Sequence, residues 1–187
     1  MIGIAIAFLV ATAALPLVPF TIRRAVGTDH GPRTEAVLDA ATLAATSALA
    51  AAAALFALGG GPATGAGRVI AICAAAVAAV TGGGFVVRTV LRAGGVMQRR
   101  PEEVERSDPA DGPLRGGRVI GYLERAAVAG TLLAGWPEGL AVILAVKSLA
   151  RYPELRAPQA SEQFIMGTFT SVLWAAGMSG VGYLLVN

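Results

Sequence analysis

Apolar residues in this chain gather into long stretches instead of alternating with polar ones. Six such stretches are separated by short, arginine-rich connectors. The first runs from Met1 to Phe20 and is followed at once by Arg23 and Arg24. The second and third, residues 36–58 and 69–91, are 23 residues each, about 34 Å as helix and enough to cross a bilayer with slight tilt. Residues 119–135 and 137–152 form a tighter pair joined through Trp136, Pro137, Glu138 and Gly139. Each arm spans only about 25 Å, so the pair reads as two short spans or a re-entrant hairpin, with two spans preferred. Pro137 suits the first turn of a helix and Glu138 its positive end. The sixth stretch starts near Ser161 and covers 164–186. Pro16 and Pro19 predict a kink or an end late in the first segment.

The expected fold class is therefore all-α, a polytopic transmembrane helix bundle with four full spans plus the short pair. A three-helix unit at 1–91 and a hairpin-plus-helix unit at 119–187 are joined by a linker at 92–118. That linker holds six Arg, five acids, Pro101, Pro109 and Pro113, a mixed-charge composition that cannot bury a core.

Composition agrees with the pattern. Of 187 residues, 55% are hydrophobic and 14% charged, against about a quarter charged in a soluble domain. Mean hydropathy is +0.66. These values exclude an ordinary soluble enzyme and a disordered chain. The single cysteine, Cys73, precludes an intrachain disulfide, and its Ala-rich surroundings predict a small buried thiol. Ala, Gly and Arg dominate, a bias that points to a high-GC, actinobacterium-like source.

Charge gives the orientation. With both termini outside, fourteen of the fifteen basic residues fall in or beside cytoplasmic connectors, leaving Arg68 as the exception. This is the positive-inside distribution, and it explains the basic balance better than nucleic-acid binding does. The expected location is a bacterial plasma membrane, multi-pass. Trp136 and Tyr183 fit anchors at the outer boundary, and Tyr122 and Tyr152 at the inner one.

Five ionisable residues fall inside apolar segments: Asp39, Arg88, Glu124, Arg125 and Lys147. Such residues are functional candidates by default. Glu124 lies 12 residues before Trp136 and Lys147 10 after Pro137, so antiparallel arms bring Glu124, Arg125 and Lys147 about 15–18 Å below the turn. A Glu124–Lys147 bridge follows, with Asp39 and Arg88 pairing likewise at a comparable cytoplasmic depth. The layer serves either as structural salt bridges with snorkelling side chains or as a site for an anionic lipid head group or proton. The structural use is preferred, because every charge sits near one interface. Small residues, chiefly Gly82, Gly83, Gly84, Gly177 and Gly180, are the expected positions of close helix packing. The triple glycine also offers a bend, and Trp174 reads as a packing residue.

Signatures of catalysis and metal binding are missing: no phosphate loop, no His-Glu-x-x-His, no Cys-x-x-Cys and no nucleophile elbow. His30, the one histidine, stands in a loop whose Gly31 and Pro32 predict a turn. No catalytic residue, cofactor or metal is expected. The stretch from Gly117 to Ala176, with Ile120-Gly-Tyr-Leu-Glu-Arg125, Ala145-Val-Lys-Ser148 and Glu162 ahead of Ile165-Met-Gly-Thr168, resembles a membrane module found at the C-terminal end of uncharacterised bacterial membrane proteins. The resemblance covers about a third of the chain and implies a helical hairpin plus a helix, with Glu124, Arg125 and Lys147 as shared polar positions, and no activity.

The function expected from these features is that of a non-catalytic accessory or scaffolding subunit of a larger membrane complex, with other integral membrane subunits and lipids as partners, no nucleic acid, and self-association open. A lipid importer of the mycobacterial cell-entry type is one candidate complex, though no motif carries it. The alternative is a small transporter or lipid-binding protein using the Glu/Arg/Lys layer.

Overall fold

A computed structural model of the chain describes residues 1–16, 32–96, 117–152 and 158–187. The described residues form six α-helices and no strand: α1 (Ile2–Ala14), α2 (Pro32–Leu58), α3 (Gly65–Ala93), α4 (Gly117–Leu133), α5 (Gly139–Ala150) and α6 (Pro158–Val186). Three of them contain stretches long and apolar enough to cross a membrane, at Ala36–Leu58, Gly65–Ala93 and Ala160–Val186.

The first apolar segment departs from a full span. Its described helix has 13 residues, about 20 Å, and ends in a turn at Leu15 and Pro16. Pro16 has no N–H to extend the helix, so α1 stops there. Residues 17–31, with Arg23, Arg24 and His30, lie outside the described residues, as do 97–116 of the expected linker.

Helices α3 and α6 form the most extensive pairing and make the centre of the bundle. Against one side lie α1 and α2; against the other lies α4, on which α5 is laid. The N-terminal and C-terminal segments thus share one core. It contains Leu9, Ala53, Ala71, Ala75, Ala78, Val128, Ala175 and Leu185. Its many alanines let backbones approach closely where water exclusion between helices provides no drive. Several buried hydroxyls bond within their own helices: Thr42 donates to the Leu38 carbonyl, Thr46 to Thr42 and Ser179 to Ala175.

One end of the bundle brings together the start of α1, the α2–α3 connector and the end of α6. Met1 packs beside Gly59 and Gly60, and the Ala63 N–H donates to the Leu185 carbonyl. Two helices end in the same motif. At Gly135 (φ 75°) and Gly95 (φ 69°) the chain turns left-handed. The following N–H groups of Trp136 and Val96 reach back to the carbonyls of Thr131 and Leu91, which closes the helix ends without side chains. The hairpin turn is longer than expected: α5 begins at Gly139, and Glu138 makes no side-chain cap. Gly139 is tucked against Thr131 and Trp136, where a side chain would collide.

Candidate functional site

Three polar junctions hold the bundle together inside its apolar segments. The first lies near the start of α2 and the end of α3. Asp39 belongs to the inward stripe of α2 that continues through Thr42, Thr46, Ala50 and Ala53, and it is only 1% exposed. Arg88 donates to it from Nε (3.2 Å) and Nη2 (3.4 Å), and Arg92 from Nη1 (2.6 Å). The two arginines stand one turn apart on α3, so both forks converge on one carboxylate. Arg88 is also stacked over the Phe85 ring at 4.7 Å. The pairing of Asp39 with Arg88 was legible from depth. Arg92, which the sequence reading assigned to the linker, is an addition that its i, i+4 spacing from Arg88 could have suggested.

The α1 terminus explains where this junction sits. Thr81 of α3 donates to the Ala13 carbonyl at the end of α1 (3.3 Å) and to its own Val77 carbonyl (2.8 Å). Helix α1 ends at about this level, and Arg88 lies seven residues further along α3.

In the second junction Lys147 of α5 donates to Glu124 of α4, Nζ to Oε2 at 2.5 Å. The Lys147 ammonium also faces the Phe164 ring of α6 at 5.8 Å. The side chains remain 20% and 25% exposed, respectively. The turn between the arms sets this register, as the count from Trp136 and Pro137 predicts.

Arg125 makes the third junction, and it overturns the single-layer picture. Neighbouring residues on a helix point about 100° apart, so while Glu124 faces α5, Arg125 enters the core and is 5% exposed. Its Nε donates to the Val80 carbonyl of α3 (2.9 Å) and Nη1 to Ser171 Oγ of α6 (3.4 Å). Tyr122 flanks its guanidinium at 5.3 Å. Val80 is close to the midpoint of the 29-residue α3, so this charge lies deep in the bundle and not at its boundary.

The glycines make room for that reach. The side chain of Arg125 crosses directly over Gly83, and the Trp174 indole covers Gly82. Trp174 donates from Nε1 to the Ala78 carbonyl at 3.1 Å. Gly84 is less crowded, its nearest side-chain neighbour being Arg88. Gly177 and Gly180 do not pack within the chain: nothing would meet a Cβ at either. Both are exposed on α6. Gly182, which meets Ala75 and Leu133, is the close contact at that end. Cys73 is exposed rather than buried, because it sits on the outer face of α3, away from Ala71, Ala74 and Ala75.

Among the described residues no group of three or more His, Cys, Asp or Glu is placed to hold a metal ion. Trp136, Tyr122, Tyr152 and Tyr183 all lie exposed on the bundle surface. Comparison of the chain with protein families, with curated proteins and with solved structures returns no match.

Proposed function

We propose that this chain is a non-catalytic, multi-pass scaffolding subunit of a larger bacterial plasma-membrane complex. The observation that supports the reading is the use of the intramembrane charges. Asp39 joins α2 to α3, Arg125 joins α4 to α3 and α6, and Lys147 joins α5 to α4. Charged groups placed to cross-link helices make a rigid platform, and this is a costly use of charge in hydrocarbon unless rigidity is what matters. The described basic residues other than Arg68 cluster toward the end where α2 starts and α3 ends, which favours that end as cytoplasmic.

The docking surface in this reading includes α5, which packs chiefly on α4 and turns Val142, Val146 and Leu149 outward. The test is purification in mild detergent followed by quantitative mass spectrometry. A membrane subunit recovered in fixed ratio, and lost when Val146→Glu and Leu149→Glu are introduced, is the expected result. A homogeneous self-oligomer or monomer under the same conditions overturns the scaffold.

The residual exposure of Glu124 and Lys147 favours a second reading, transport or lipid binding at that pair. Glu124→Gln separates the two: lost transport with intact assembly supports the second, and lost assembly supports the first.

A further inference from the structure

We propose that the junction of α3, α4 and α6 holds a small monovalent anion of the chloride class, on the open edge of Arg125 and the hydroxyls of Ser171 and Thr168. The inference does not depend on whether the chain is a subunit.

Charge comes first. Arg125 is almost fully buried, and its partners are the Val80 carbonyl, the Ser171 hydroxyl and the Tyr122 ring. The adjacent acid, Glu124, has its carboxylate engaged by Lys147. Two cations therefore share one carboxylate, which leaves one positive charge among apolar segments. An unbalanced charge there is costly, and one bound anion of single charge cancels it. Arg125 Nη2 has no hydrogen-bond partner among the described residues, so a donor is already in place for that anion.

The hydroxyls come second. Thr12, Thr42, Thr46, Thr81 and Ser179 each donate to a carbonyl of their own helix, the usual way to satisfy a hydroxyl in apolar surroundings. Three hydroxyls at this junction do not. Ser171 accepts from Arg125 Nη1 and donates to no described residue. Thr168, buried one turn away on the same face of α6, makes no hydrogen bond among the described residues. Across the seam, Thr89 Oγ1 of α3 is closed off and unpartnered. The Val87 side chain stands 3.9 Å from where a Cβ on Gly167 would lie, which puts Thr89 and Thr168 at about one level. The junction thus gathers donors and lacks an acceptor.

Room for the acceptor comes from Gly121. The head of Arg125 lies 3.4 Å (Nη1) and 3.9 Å (Nη2) from where a Cβ on Gly121 would lie, so the missing side chain leaves space beside the open edge. Gly121 is half-buried, and an ion can pass it. The space is small, because the Arg125 stem is laid on Gly83 and the Trp174 indole on Gly82. A single atom fits such a place better than a phosphate or carboxylate group.

The experiment uses the full chain in an uncharged detergent and bromide as the probe, since bromide matches chloride in charge, is close to it in size, and quenches indole fluorescence. Trp136→Phe leaves Trp174 as the one tryptophan; it is shielded from bulk solvent and stands one turn from Ser171. Sodium bromide replaces sodium gluconate at constant ionic strength. Quenching of Trp174 should saturate, and the unfolding midpoint should rise with bromide. Arg125→Met should need about tenfold more bromide for the same quenching, the scale of one charge-assisted hydrogen bond. Gly121→Ala, which keeps the charge and fills the space, should weaken binding as well. Quenching that rises in proportion to bromide without saturating overturns the proposal, as does saturable quenching that both variants leave unchanged. A midpoint raised by phosphatidylglycerol and not by bromide assigns Arg125 to a lipid phosphodiester and overturns the halide.

Discussion

Arg125 of α4 reaches the main-chain carbonyl of Val80 in α3, 2.9 Å from its Nε, and does so from a position almost closed to the surroundings. A carbonyl already accepting its helical hydrogen bond has a second lone pair, so the contact costs the α3 ladder little. The partners of this guanidinium are a carbonyl, a hydroxyl and an aromatic face, all neutral. This makes its replacement informative. Arg125→Lys keeps a buried charge but loses the fork, and should lower stability by about 2–3 kcal/mol. Arg125→Met removes the charge at similar length and should stay within about 1 kcal/mol of wild type, since apolar replacement of a buried ion is often tolerated. Thermal unfolding in detergent checks the order; a methionine variant less stable than the lysine variant contradicts it.

The glycines of α3 and α6 make a second contrast. A Cβ at Gly82 would overlap the Trp174 indole, while one at Gly177 meets nothing. Gly82→Ala should therefore destabilise by roughly 1–3 kcal/mol as the ring is displaced from the Ala78 carbonyl. Gly177→Ala should be neutral or stabilising by up to about 1 kcal/mol through helix propensity. Unfolding midpoints of the two variants, measured side by side, decide the matter.

That contrast also shows which parts of the molecule can be read from sequence. The long apolar runs mark α2, α3 and α6 because hydrocarbon demands length and little else. The Glu124–Lys147 pair follows from counting residues on either side of the hairpin turn. Direction is harder. In a soluble helix the polar face reveals the inward one, but here both faces are apolar. Nothing along α6 distinguishes Gly177 from Gly182, and nothing around Cys73 marks it as outward. For the same reason Arg125 and Glu124, adjacent in sequence, point to different helices. The early end of α1 was visible only as Pro16, in a run that stays apolar to Phe20.

Breaking the Asp39 junction should be more damaging than its boundary position suggests. Asp39→Ala removes the carboxylate that Arg88 and Arg92 share, although their partly open side chains can still turn toward water or head groups. The expected loss is about 2–3 kcal/mol, toward the low end for a buried pair. Arg92→Gln should cost less, because Arg88 still grips both carboxylate oxygens. Chemical unfolding monitored by Trp174 fluorescence measures both, and equal losses would contradict the shared-carboxylate geometry.

The Glu124–Lys147 pair is open enough for its strength to be modest, and a double-mutant cycle isolates it. Glu124→Gln and Lys147→Met should each loosen α5 from α4, with a coupling energy of about 1 kcal/mol. Reversing the charges, Glu124→Lys with Lys147→Glu, should recover most of the loss, because the turn holds the two positions at one depth. Protease sensitivity of the α4–α5 turn at Trp136 reports the loosening; a reversed pair as sensitive as the single variants would show that orientation, and not pairing, is what matters.

Cys73 offers a direct test of where α3 lies. The thiol is on the exposed face of the helix, eight residues from its start at Gly65, about 12 Å along the axis. Exposure here means contact with lipid chains, into which a charged reagent does not partition. In proteoliposomes a membrane-impermeant, charged thiosulfonate should leave Cys73 unmodified from either side. An uncharged maleimide should label it slowly, and solubilisation in a denaturing detergent should make it fully reactive. Rapid modification of the native protein by the charged reagent would place this face of α3 in water and remove the helix from the bilayer.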